Sequence, residues 1–174
     1  KELFALHRQI FENQTIFKGV FQNILPEKIS DWGSIPSQEL TLATGNNSSD
    51  FDFQKTKVKL VVNNEEIRIL TECSEKFLKE LFVDEKSIGN DSIEFFINPD
   101  GFRYVEIVIS PEGKMSAHIG LTGGRRVKSR PLPSSAKCEI IKNDNSWSVL
   151  FSIKTQELLE FAGAPDSFIP TAYP

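Results

Sequence analysis

The stretch that decides the fold reads DSIEFFINPDG (residues 91–101), and it is followed at once by YVEIVI (residues 104–109). Pro99 and Gly101 stand where a tight turn needs them, because proline presets a negative φ and glycine tolerates a positive one. Both flanks of the turn are rich in aromatic and β-branched residues. The stretch therefore predicts two paired strands joined by the turn.

Alternation within the first strand separates two kinds of side chain. Successive residues of a strand point to opposite faces, so the isoleucine and phenylalanine at the odd positions of 93–97 share one face, and Glu94 and Phe96 share the other. Glu106 repeats this placement on the second strand, between two bulky apolar residues. A carboxylate in such surroundings needs a polar partner, which makes both glutamates candidates for a site.

Similar hairpin patterns continue on both sides of this stretch. Paired strands are predicted at 56–62 and 66–73 and at 137–142 and 147–153, a return strand at 115–119, and an outer strand at 37–44. A short helix opens at Thr155 and runs over 156–161, with Gly163 placed to end it. Residues 26–33 and 120–135 are predicted as loops, and residues 3–11 fit a helix or a strand equally well. Hairpins at this spacing predict an antiparallel β-sandwich, immunoglobulin-like or jelly-roll-like, with short helices.

Composition limits the class of protein. The 174 residues, with 39% hydrophobic and 25% charged side chains, predict one soluble domain over 1–174, in which 1–50 has no assigned structure. A net charge of −4 argues against a nucleic-acid partner, and no apolar run is long enough for a membrane span. We expect Cys73 and Cys138 to be free thiols, with one disulfide as the alternative.

The order of these elements resembles the family-nine carbohydrate-binding modules. The resemblance spans about residues 55–160 and is carried by the first hairpin, by DSIEFF (91–96) with YVEI (104–107), and by WSVLFSI (147–153) before a leucine-containing helical turn. It implies a non-catalytic β-sandwich that recognises a sugar or glycan. It also implies that Glu94 corresponds to the glutamate that holds sugar hydroxyls in that family.

The ligand-binding candidates are carboxylates that accept hydroxyl hydrogen bonds, aromatic rings that stack on a sugar, and arginines that clamp polar groups. They are Glu94, Glu106, Tyr104, Phe102, Trp32, Arg125 and Arg126. Each has a structural alternative: the charged residues as solvated or paired surface groups, and Trp32 as a plug at one end of the sandwich. His118 is expected to be structural or exposed, since no acid lies near it in sequence.

Other functional classes stay open at this point. Ile88 stands where the family has an aromatic platform, which favours the alternative of a structural or protein-interaction sandwich without a sugar site. A haem domain using Met115 and a glycosidase using Glu94 and Glu106 are remoter alternatives. We expect no catalytic residue, no metal site and no cofactor, with calcium left open. The expected partners are carbohydrate and other domains of a larger protein, at a secreted or cell-surface location.

Overall fold

The computed structural model describes residues 19–40, 55–75, 91–98, 103–121 and 126–163, with the backbone alone for residues 121 and 126–130. Two sheets pack face to face, as the hairpin pattern predicts, so the expected β-sandwich is confirmed. In chain order the elements are β1 (Val20–Phe21), a 3-10 helix (Ile29–Ser34), β2 (Gln38–Glu39), β3 (Thr56–Val62), β4 (Glu66–Ser74), β5 (Ile93–Ile97), β6 (Arg103–Ile109), β7 (Met115–Leu121), β8 (Arg126–Arg130), β9 (Lys137–Asn143), β10 (Ser146–Lys154) and α1 (Thr155–Ala162).

The first sheet, called sheet A, has the strand order β1-β3-β4-β10-β9, with β2 also paired to β3. Its central pairs are antiparallel, and β1 alone among its described strands runs parallel to its partner. Strand β10 lies between β4 and β9, so the hairpin made by β9 and β10 is joined directly to the hairpin made by β3 and β4.

The second sheet, called sheet B, has the strand order β5-β6-β7-β8, and each neighbouring pair is antiparallel. The register places Phe96 of β5 opposite Glu106 of β6, and Glu106 in turn opposite His118 of β7. Tyr104 lies opposite Gly120 in the same way. The central stretch of the sequence therefore forms the edge and the middle of sheet B.

The core fills the space between the two sheets. Val105, Ile107 and Ile109 of β6 are fully buried there, facing Val149, Phe151 and Ile153 of β10 across the sandwich. Phe95 joins the same cluster, with its ring centroid 5.6 Å from that of Phe151. The alternation of the central strands thus places one face of sheet B in the core and leaves the other face outside it.

Residues 19–40, which we call the 19–40 layer, supply β1 and β2 at the edge of sheet A, and the segment between these strands covers the outer face of the sheet. Leu25, Trp32 and Ile35 of this layer pack on Val61, Leu70 and Leu150 of β3, β4 and β10. Two side chains of sheet A also donate hydrogen bonds to backbone carbonyls of the layer: Lys59 Nζ to Trp32 (3.0 Å) and Arg68 Nη1 to Pro26 (2.8 Å). On the outer faces of β4 and β10, Leu70 and Leu150 supply the apolar contacts with the layer, and Arg68 supplies a polar one.

Helix α1 follows β10 without a loop and packs Leu158 and Phe161 against the core. It ends as predicted at Gly163, which adopts the left-handed conformation with φ of 68°. The guanidinium of Arg103 donates to the carbonyls of Ala162 and Gly163, which satisfies acceptors left free at the helix end. The short helix is therefore tied to β6 of sheet B.

Several local predictions need correction. Residues 120–135 were expected to be one loop, but they contain the end of β7 and the whole of β8, because pairing with β7 outweighs the turn-forming composition. Residues 26–33 include most of a 3-10 helix. The outer strand predicted at 37–44 is present at Gln38–Glu39, and residues 41–44 lie outside the described residues. The ambiguous segment at 3–11 lies outside the described residues.

Both cysteines are free and half-buried, which confirms the preferred expectation of two thiols. Burial raises the pKa of both the Cys73 and the Cys138 thiol. Among the described residues, none of the helices is long and apolar enough to cross a bilayer.

Candidate functional site

The outer face of sheet B, turned away from the core, gathers several chemically active side chains. Glu94 and Phe96 lie on this face in β5, Tyr104 and Glu106 in β6, and His118 in β7. The arrangement follows from the strand period of two, since these residues alternate with the core residues described above. No comparable face is open on the described part of sheet A, where the 19–40 layer covers the apolar centre.

Two aromatic rings lie together on this face, and one of them is mostly exposed. Phe96 is 60% exposed, and its ring centroid lies 5.7 Å from that of Tyr104 with 54° between the planes. This inclined geometry is one that aromatic pairs favour. Phe96 was not selected from the sequence as a binding residue, although its spacing of two from Glu94 already placed both on one face. A solvent-exposed ring supported by a second ring can serve as a platform for a flat apolar ligand surface.

The position of the Tyr104 ring depends on Gly120. A Cβ atom added at Gly120 would lie 2.1 Å from Cζ and 2.3 Å from the hydroxyl oxygen of Tyr104. Such distances are far below van der Waals contact, so the phenol lies directly over the backbone of β7 because residue 120 has no side chain. Glycine in a strand often marks such a close approach.

The two carboxylates of this face differ in access. Glu94 is exposed on the edge strand β5, where its oxygens can accept hydrogen bonds from a ligand. Glu106 is 1% exposed, between Phe96 and His118 in the register. Glu106 was expected to be a direct ligand contact, and its burial beneath the surface of the sheet does not fit that role.

His118, which has no acid near it in sequence, has Glu106 as its cross-strand neighbour. Glu106 and His118 are 12 positions apart in the chain but directly opposite in the register of β6 and β7, where paired Cβ atoms are about 5 Å apart. Its Nδ1 atom is buried and has no hydrogen-bond partner among the described residues. The pairing could be found from sequence only by assuming the hairpin register around residues 110–114.

The other predicted residues do not join this face. Trp32 is fully buried under sheet A, so its ring has no free surface for stacking and the platform role predicted for it is wrong. It also does not plug an end of the sandwich, because it packs on the outer face of the sheet. Phe102 and Arg125 lie outside the described residues, and of Arg126 the structure gives the backbone position opposite Gly120.

A separate cleft of about 410 Å³ opens at the end of sheet A next to helix α1. The walls of the cleft include the basic residues Arg68, Lys137 and Lys154 and the acidic residues Glu66 and Glu157. Arg68 is paired with Glu66 at 2.9 Å, and the Glu157 carboxylate accepts the Ser135 N–H at 3.1 Å. These internal partners make the cleft a structural junction.

The described part of the chain contains no group of side chains that could hold a metal ion. No cluster of three or more His, Cys, Asp and Glu side chains converges among these residues. Glu106 and His118 alone make a pair, which is fewer ligands than the three or four that protein zinc sites use.

Comparison with known proteins gives similarity in fold. No protein-family model matches the sequence, and no curated protein matches it. A candidate carbohydrate-binding protein from Bacteroides uniformis superposes with a TM-score of 0.61 at 17% identity, covering 82% of this chain and 73% of that one. A family-nine carbohydrate-binding module from Caldicellulosiruptor kristjanssonii, solved in complex with glucose, superposes with a TM-score of 0.54 at 12% identity, covering 79% of this chain and 69% of that one. The chain therefore has a fold like that of the family-nine carbohydrate-binding modules.

Proposed function

We propose that this protein is a non-catalytic carbohydrate-binding module that uses the outer face of sheet B. The observation that carries the proposal is the exposed Phe96 ring, inclined against Tyr104 and sharing β5 with the exposed Glu94. Sugar rings have an apolar face that packs on aromatic rings, and hydroxyls at their edge that donate to carboxylates. The fold shared with a candidate carbohydrate-binding protein and with a family-nine module supports the same assignment.

In this proposal each residue has a defined part. Phe96 supplies the stacking surface, Tyr104 fixes the Phe96 ring and offers a hydroxyl, and Glu94 accepts hydrogen bonds from ligand hydroxyls. Glu106 and His118 lie opposite each other at the base of the face. Phe102, Arg125 and Arg126 remain candidates for contacts from the neighbouring segments.

The same geometry argues against glycoside hydrolysis. A glycosidase needs two carboxyl groups that both reach the scissile bond. Glu94 is exposed, whereas Glu106 is buried beneath the same face. We therefore assign no catalytic residue to the described part of the chain.

The test is a thermal-shift screen against mono- and oligosaccharides, with and without calcium, followed by titration calorimetry. A ligand present at a hundred times its dissociation constant adds about 2.7 kcal/mol to the free energy of unfolding, which raises the melting temperature of a domain of this size by roughly 5–10 °C. Phe96→Ala should abolish the shift caused by the active sugar. Failure of every sugar to shift a cooperatively melting wild-type protein would refute the proposal.

Phe21→Ala is the matched control for Phe96→Ala. Phe21 is 58% exposed, nearly the same as Phe96, but it lies in β1 at the edge of sheet A. The control should melt and bind as wild type does. Equal loss of binding in both variants would show that exposed aromatic surface in general, and not the outer face of sheet B, is responsible.

A second candidate function is that of a protein-interaction domain, and one observation favours it. Phe21 and Ile24 of the 19–40 layer are 58% and 87% exposed, and they are close in sequence. Exposed apolar residues grouped in this way occur at protein contact surfaces. Concentration-dependent association in sedimentation experiments that disappears in Ile24→Ser, combined with no response to sugars, would favour this candidate.

A further inference from the structure

We infer that the sugar recognised by the outer face of sheet B carries a free amino group, so that the ligand is an amino-sugar oligosaccharide. This inference rests on the proposed function, and it names the class of ligand for the same site. It depends on the accessible charge of the face and on the position of that charge beside the exposed aromatic ring.

Glu94 is the exposed acidic side chain among the described side chains of this face. Glu94 is exposed, and it has no salt bridge among the described residues. The remaining described side chains of the face are aromatic, apolar, hydroxyl-bearing or buried, apart from the half-buried His118. Of the basic strand β8, the structure describes the backbone alone. A carboxylate accepts hydrogen bonds and cannot donate them, so its best partner is a group that only donates.

An ammonium group meets that requirement and also suits the aromatic ring. It has three donors and no acceptor, and its hydrogen bonds to a carboxylate are charge-assisted. Glu94 and Phe96 are two positions apart on one strand and point to the same side, which places them about 7 Å apart. A cation that contacts the Glu94 carboxylate can therefore lie within the roughly 6 Å of the Phe96 ring at which cation–π attraction acts.

A neutral sugar uses the same face less completely. A hydroxyl gives Glu94 a single donor, and it leaves the negative potential of the carboxylate beside the ring unneutralised. An N-acetylated amino sugar offers one amide N–H in a bulkier group. The Phe96 and Tyr104 rings can stack equally well on an amino sugar, a neutral sugar and an N-acetylated amino sugar. The Glu94 carboxylate therefore determines which of the three binds most tightly.

The experiment compares three trisaccharides with the same β-1,4 backbone: glucosamine, N-acetylglucosamine and glucose. Calorimetric titration at low salt should give the glucosamine trisaccharide roughly tenfold tighter binding than either neutral one. The preference should shrink at about 0.5 M salt, because screening weakens attraction between exposed charges. Glu94→Gln should remove most of the preference, because it should weaken the binding of the glucosamine trisaccharide more than that of the neutral trisaccharides.

The control variant is Glu139→Gln. Glu139 is exposed on β9, at the edge of sheet A, and its replacement changes the net charge of −4 by the same amount. If it reduces the preference as much as Glu94→Gln, the attraction is general to an acidic protein and the inference fails. If the neutral trisaccharides bind as tightly as glucosamine, the inference fails but the proposed function stands. If none of the sugars in the wider screen binds either, both fail.

Discussion

Replacing Trp32 with alanine should destabilise the protein by about 3–4 kcal/mol. The side chain is fully buried between the 19–40 layer and sheet A, and a tryptophan buries up to about 250 Å². At about 25 cal/mol per Å² this gives an upper limit near 6 kcal/mol, which residual burial in the unfolded chain reduces. The indole Nε1 is buried without a hydrogen-bond partner among the described residues. Removing this unsatisfied donor offsets the loss in the free energy of unfolding by about 1 kcal/mol.

The assay is urea unfolding followed by circular dichroism and by tryptophan fluorescence. The sequence has two tryptophans, so the variant keeps Trp147 in the sandwich core as a single fluorescent reporter. Phe21→Ala should lose less than about 1 kcal/mol, because that ring is mostly exposed. A loss below about 1 kcal/mol in Trp32→Ala would refute the reasoning, since it would mean that the 19–40 layer contributes no packing to the folded state.

Three further predictions follow from other contacts. Gly120→Ala should displace the Tyr104 ring by at least about 1 Å and so weaken ligand binding. The free energy of unfolding should change by less than about 1 kcal/mol, because the clash is with the end of one side chain. Calorimetry measures the binding and urea unfolding measures the stability, and unaltered binding would contradict the placement of the ring. The backbone N–H of Ser135 lowers the pKa of the Glu157 carboxyl, so the stability that this hydrogen bond adds at neutral pH should be lost as the pH falls through that lowered pKa. Between pH 7 and about pH 3 the free energy of unfolding should therefore fall less in Glu157→Gln than in wild type. Equal falls in urea unfolding of the two proteins would contradict the prediction. Both thiols should react slowly with a thiol reagent in the native protein and quickly in urea, because burial raises their pKa values; reductant should leave the melting temperature unchanged.

Local patterns in the sequence predicted most of the sandwich. The alternation in 91–109 correctly separated the core face of sheet B from its outer face, and Gly163 correctly marked the end of helix α1. These predictions succeeded because strand period and capping depend on residues close together in the chain. Strand β8 was missed because its residues are polar and basic, and its structure comes from pairing with β7.

The candidate site was harder to predict because it depends on register between strands. Glu94 could be selected from its own strand, but the burial of Glu106 and its position opposite His118 depend on which residues of β6 and β7 are paired. Trp32 was misjudged for a related reason. A tryptophan in a segment bounded by proline and glycine resembles an exposed platform, and only the apolar outer face of sheet A shows that the segment folds back as a covering layer.

The described residues cover the two sheets unequally, and this has a consequence for how such a domain can diverge. In β4 and β10 most side chains are packed on one side or the other, so a substitution there disturbs either the core or the covering layer. In β5 every second residue faces solvent, and Glu94 and Phe96 can be exchanged without repacking the interior. Under the proposed function, substitutions at these positions of β5 would change ligand preference while the architecture persists. An architecture shared at 17% and 12% identity fits a scaffold that separates variable positions from structural ones in this way.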